Sequence, residues 1–160
     1  RTVGRTARGV RGIRLEEEQA VISMLIPEEE DVILIATENG YGKRTRLEEF
    51  SKHNRGGKGV IGIQTSERNG NVVAASVVKD DEDVMLITAN GTLVRTAVDE
   101  ISILGRNTQG VRLIRLDEGD SLVGFSRIQE SGEDEVENGE GLEEDVETES
   151  SHEETENSVN

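Results

Sequence analysis

Eighteen lysines and arginines stand in a chain of 160 residues, all at or before Arg127, and they fall in clusters. Arg1, Arg5, Arg8, Arg11 and Arg14 share the first fourteen residues with no acid among them. Lys43, Arg44, Arg46, Lys52, Arg55 and Lys58 form a second group, against Glu48 and Glu49. Arg95, Arg106, Arg112 and Arg115 form a third, against Asp99 and Glu100. Cations spaced along a track neutralise phosphates and release counterions, which holds a nucleic-acid backbone without reading its bases. No catalytic constellation competes with that reading. His53 and His152 are the only histidines, and neither has a metal-ligand spacing. Cysteine is absent, which excludes a disulfide framework and thiolate chemistry. The acid pairs Glu28/Asp31 and Asp80/Asp83 fall in turns, where solvated carboxylates are ordinary, and Tyr41, just after Asn39-Gly40, reads as structural. The expectation is therefore no catalytic residue, no metal and no cofactor on this chain. With Tyr41, Phe50 and Phe125 as the only aromatics, there is no stacking platform for single strands. Double-stranded DNA held by its backbone is the better fit.

The net charge of −16 does not argue against such a ligand, because the acids are unevenly spread. Up to Gln129 there are twenty acids against the eighteen bases, whereas residues 130–160 carry fourteen acids and no lysine or arginine. The acidic pI near 4.5 thus describes the tail rather than the body. Residues 129–160, rich in Glu, Ser, Asn and Gly, have too little apolar surface to offset their ordering entropy and are expected to be disordered. Tethered beside a basic rim, such a tail is expected to imitate a DNA backbone and restrain binding. No apolar run approaches the roughly 18 residues of a membrane helix, and no signal-peptide pattern opens the chain. The absence of an initiator Met, with a start inside a patterned segment, reads as a piece of a longer protein.

The elements that must position these cations come in repeats. Gly9-Val10-Arg11-Gly12-Ile13 returns as Gly59-Val60-Ile61-Gly62-Ile63 and as Gly110-Val111-Arg112-Leu113-Ile114, at shifts of 50 and 51 residues. Asp31–Ile35 returns as Asp83–Ile87, and Lys43-Arg44-Thr45 aligns with Val94-Arg95-Thr96. Within one repeat, Gly59–Thr65, Asn71–Val78, Asp83–Thr88 and Thr92–Ala97 are short, rich in Val, Ile and Thr, and bounded by turn residues, which predicts four strands. Asn39-Gly40, Asn69-Gly70 and Asn90-Gly91 predict tight hairpin turns with positive φ. Four strands in about 50 residues is the size of a propeller blade. The body, residues 1–128, then holds about two and a half blades, followed by the tail at 129–160. Each basic cluster occupies the same part of its repeat, so neighbouring blades would carry positive patches side by side around a rim.

Arg55-Gly56-Gly57-Lys58-Gly59 resembles the glycine-rich basic box of the DNA gyrase A family, usually Gln-Arg-Arg-Gly-Gly-Lys-Gly, with His53 and Asn54 where the family has Gln and Arg. Glycines there let backbone approach phosphate and leave amide donors available. Asp83–Thr88, Asn90-Gly91 and Gly105–Arg112 are also similar to this family, and the similarity covers roughly residues 1–128. The resemblance implies an all-β, six-bladed β-pinwheel that wraps DNA around its edge, within a cytoplasmic, bacterial, ATP-dependent type IIA topoisomerase that introduces negative supercoils. ATP and magnesium would belong to the holoenzyme, and the partners would be duplex DNA, the rest of the dimeric gyrase A protein, and gyrase B. Arg5, Arg8, Arg11, Lys43, Arg44, Arg46, Lys52, Arg55, Gly56, Gly57, Lys58, Gly59, Arg95, Arg106 and Arg112 are the expected DNA-binding set. The C-terminal domain of the corresponding topoisomerase IV protein is the nearest rival, and a protein-binding propeller scaffold is a rival of another class.

Overall fold

The continuous apolar run from Val32 to Ala36 is what a strand buried on both faces requires. In the computed structural model, which describes residues 2–128, it is β1, Val32–Thr37. Its alternate residues serve two cores. Leu34 and Ala36 join Val78, Val84, Leu86, Val98, Ile101, Ile114 and Leu122. Ile33 and Ile35 face the other way, against Ile63, Leu25 and Phe50.

β1 forms a hairpin with β2, Tyr41–Arg46, with Ile33 opposite Thr45 and Ile35 opposite Lys43. β3, Val72–Val78, pairs antiparallel with the other side of β1. A second hairpin joins β4, Asp83–Thr88, to β5, Leu93–Ala97. β6, Val111–Arg112, then returns to the outer edge of β2, and β7, Leu122–Ile128, pairs with β4. The sheets therefore run β3-β1-β2-β6 and β5-β4-β7. Both copies keep the same details: a bulge at Ala36/Thr37 and again at Ile87/Thr88, and a 3-10 turn after each hairpin, at Leu47–Glu49 and Val98–Glu100. The all-β expectation holds, and the repeat is real in three dimensions.

Three local expectations are corrected. The predicted strand Gly59–Thr65 is not a strand. Its counterpart β6 adds to the edge of β2 at Tyr41–Gly42, whereas among the described residues no strand pairs with 59–65. A short strand without an edge to pair with has no ladder to form. The second correction concerns the blade. Spacing groups Asn71–Val78 with the two strands that follow it, but β3 joins the preceding hairpin, so one sequence repeat is divided between two sheets. Thirdly, one of the three Asn-Gly pairs makes no hairpin turn, although Gly40, Gly70 and Gly91 take the expected positive φ, at 78°, 71° and 84°. The hairpin loops between the strands have three residues and four rather than two, and a turn ending on one left-handed residue suits such lengths. Asn69-Gly70 joins no hairpin. Instead the buried Asn69 side chain accepts from Ser66 N–H and donates to the carbonyls of Gln64 and Gln109. The expected tail, 129–160, lies outside the described residues.

Candidate nucleic-acid interface

The box-like loop sits between two segments fifty residues apart. Gly57 O accepts from Arg14 N–H at 2.8 Å, and one repeat later Thr108 O accepts from Gln64 N–H at 2.9 Å. The stretch Gly105–Gly110 is thus the structural counterpart of Asn54–Gly59, and Gly4–Gly9 is the copy before it. Gly9, Gly59 and Gly110 share the left-handed conformation, with φ of 75°, 77° and 78°. Arg5, Arg55 and Arg106 occupy the same place in these three loops, as do Arg8, Lys58 and Gln109. Recurrence of backbone and cation together is more than a run of charge.

The expected set divides by burial. Arg5, Arg8, Arg11, Arg46, Lys52 and Arg55 are exposed and have no carboxylate partner among the described residues. Lys58 is exposed and pairs with Glu16 at 2.9 Å. Gly57 and Gly59 are exposed at the same loop, but the Gly56 amide is not available as expected, since it donates to Gly12 O at 2.6 Å. Arg95 pairs with Asp83 across the hairpin. Arg106 is half-buried and donates to Glu49 O at 2.6 Å and Ile61 O at 2.8 Å, so it fastens its loop to the loop before it. Arg112 is exposed and donates to the Tyr41 hydroxyl at 2.9 Å.

Lys43 and Arg44 depart from the rim altogether. β2 lies between β1 and β6, and both faces of it are covered. Lys43 is fully buried and donates to Gly105 O at 2.5 Å and Arg106 O at 2.7 Å. Arg44 donates to Ile101 O at 2.6 Å and Asp99 O at 3.2 Å and pairs with Asp80. Buried cations need such partners because desolvation is costly. Both residues act as staples that hold the following linker against the sheet, and both are buried rather than exposed on a rim.

Burial, the largest cause, and the nearby Arg106 charge lower the Lys43 pKa from 10.5 to about 8, against the opposing pull of Glu49. Between these values the unfolded chain holds a proton that the folded chain has released, so stability rises with pH across that window. Denaturant melts at stepped pH should show that rise, and Lys43→Met should flatten it.

Comparison with known proteins decides the family. A family profile described as DNA gyrase C-terminal domain, beta-propeller, matches residues 1–28, 31–79 and 82–129. The chain belongs to the DNA gyrase C-terminal domain family. The gyrase A protein of Pseudomonas aeruginosa is 56% identical over 137 residues, covering 84% of this chain and 15% of that protein. Its Escherichia coli equivalent is 52% identical over 135 residues, again 84% and 15%. This chain therefore spans about a seventh of the length of those relatives. A solved DNA gyrase A C-terminal domain superposes with a TM-score of 0.72 at 32% identity, covering 81% of this chain and 44% of that one. The C-terminal domain of a DNA topoisomerase IV matches at 0.69 and 24% identity, covering 75% and 38%, and shares the fold.

The box loop is legible from composition. Asn69, which fixes the turn before β3, and Arg68, which lies over the Tyr41 ring, are outside the set expected from sequence. An Asn before Gly does signal a side-chain-bonded turn, but no local signal announces Arg68.

Proposed function

We propose that this chain is a DNA-binding portion of a gyrase A protein, gripping duplex DNA by its backbone so that the duplex bends around the domain edge. The observation that carries this reading is the recurring loop that presents Arg5 and Arg55 at equivalent positions, each followed three residues later by a second cation. Arg8, Arg11, Arg46, Lys52 and Lys58 extend the track, and Arg95, Arg106 and Arg112 contribute from the third repeat. A protein that bends DNA in this way needs backbone charge rather than base contacts. In the whole enzyme the wrapped segment would feed the strand-passage reaction that introduces negative supercoils. On this reading, gyrase B, the remainder of gyrase A and ATP with magnesium would belong elsewhere in a bacterial cytoplasmic assembly.

Titration on two unrelated duplexes at several salt concentrations tests the reading. Neutralising four phosphates gives a slope of log affinity against log salt of roughly −3 to −4, alike for both sequences. Ending the chain after Gln129 should tighten binding, most at low salt, if the fourteen tail acids compete with DNA. A flat salt response, or a large sequence preference, would overturn the proposal. No DNA affinity at all would favour the protein-binding scaffold.

A further inference from the structure

Tyr41 opens β2, and its ring is buried between two arginines. The guanidinium carbons of Arg68 and Arg112 lie 4.8 Å and 5.4 Å from the ring centre. Hydrogen bonding from Arg112, then from Arg68, holds the phenol below its usual pKa. Arg115, Asn39, Ile114 and Leu116 complete a shallow depression around these groups, and no carboxylate lines it. None of the three arginines has a carboxylate partner among the described residues; Arg68 reaches only the Gln109 side-chain oxygen, at 3.5 Å.

Packing alone does not account for this cluster. One guanidinium would satisfy the ring, whereas several like charges gathered without an acid repel one another until an anion arrives. Nor does the repeat require it. The second hairpin has Thr92 in place of Tyr41, and the turn before β7, Asp117–Asp120, contains no basic residue.

We propose that Arg68, Arg112 and Arg115, oriented by Tyr41, form a preformed site for one phosphodiester group of the wrapped duplex. The inference rests on the duplex-binding function above and adds a position to it. The depression adjoins the third box loop, since Gln109 contacts Arg68 and β6 follows that loop directly. The planar guanidinium fork matches phosphate oxygens in pairs. The Tyr41 hydroxyl accepts from Arg112 and so fixes its orientation. The ring itself, covered by guanidinium groups, is not free to stack a base, so the site reads charge and shape rather than sequence.

Tyr41 is the only tyrosine, so the titration of a ring-labelled tyrosine followed by NMR, where DNA does not contribute, reports this site alone. In the 160-residue chain, saturating duplex should move the Tyr41 titration up toward its ordinary value as the phosphate neutralises the arginines. Arg68→Gln, with an unchanged circular dichroism spectrum, should abolish that movement, weaken duplex binding about fivefold and lower the salt slope by about one. Tyr41→Phe should retain the fold and lose part of the affinity. If duplex binds with the expected salt slope while the phenol titration stays still, this site is wrong and the wider function stands. An equal response to polyglutamate would overturn the choice of phosphate, and failure of any duplex to bind would overturn both.

Discussion

Arg5, Arg55 and Lys58 replaced together by alanine should leave the fold intact and remove most of the salt-dependent duplex binding. Arg5 and Arg55 are exposed without a carboxylate partner among the described residues, and Lys58 pairs only with the exposed Glu16. An ion pair of that kind contributes about 0–1 kcal/mol to stability, so denaturation midpoints should hardly move. Each lost phosphate contact lowers the salt slope by about one, which takes a slope near −4 to about −1. Affinity at low salt should fall roughly a hundredfold, at about 1 kcal/mol for each exposed charge contact. The buried Lys43 supplies the contrast: Lys43→Met should alter stability and leave the slope nearly unchanged. If the triple variant binds as the parent does, the recurring loop is not the DNA contact.

Gly110→Val should destabilise the protein far more than Gly9→Val, although both glycines share the same backbone conformation. A side chain at φ near +78° costs about 1–2 kcal/mol in either place. At Gly9 a Cβ meets nothing within 4 Å, whereas at Gly110 it would lie 2.5 Å from the Gly42 carbonyl oxygen and 2.9 Å from its carbon. The obstacle is strand backbone that cannot step aside, and overpacking of this kind adds about 1–3 kcal/mol. Gly110 leads into β6, which closes the edge of β2, so the damage should spread to the Tyr41–Gly42 pairing. Denaturant midpoints of the two variants check this. Equal losses would mean that the close approach at Gly42 carries no energy of its own.

β1, β3, β4 and β5 were legible because β-branched runs between turn residues mark strands wherever their partners lie. The segment 59–65 was not, because its composition resembles that of β6 and only the availability of an edge separates them. Lys43 and Arg44 show a similar limit. Side-chain type reads as surface, yet the acceptors that satisfy them, the carbonyls of Ile101, Gly105 and Arg106, come from 57 to 63 residues further on. A hint did exist in the repeat, since Lys43 aligns with the half-buried Val94. The repeat shifts of 50 and 51 already align Arg5, Arg55 and Arg106, and the matched hydrogen bonds of Gly57 and Thr108 add that two of these loops are held in the same way.

The division of each repeat between two sheets has a mechanical consequence. A bent duplex is a spring: holding 20–30 base pairs through a substantial bend stores about 1–6 kcal/mol, and it pushes outward on whatever grips it. If neighbouring blades met only through side chains, that force would be carried by contacts that slide. Here the link after β3 runs straight into β4, and the link between β5 and β7 passes through β6 in the other sheet. Arg127 adds a rivet, donating from β7 to Val77 O in β3 and pairing with Glu82. Spreading the blades therefore loads rows of backbone hydrogen bonds along the strands, where many must fail together rather than one after another. On the proposed function, the recoil of the DNA would be taken up in shear by the same strands that build the core.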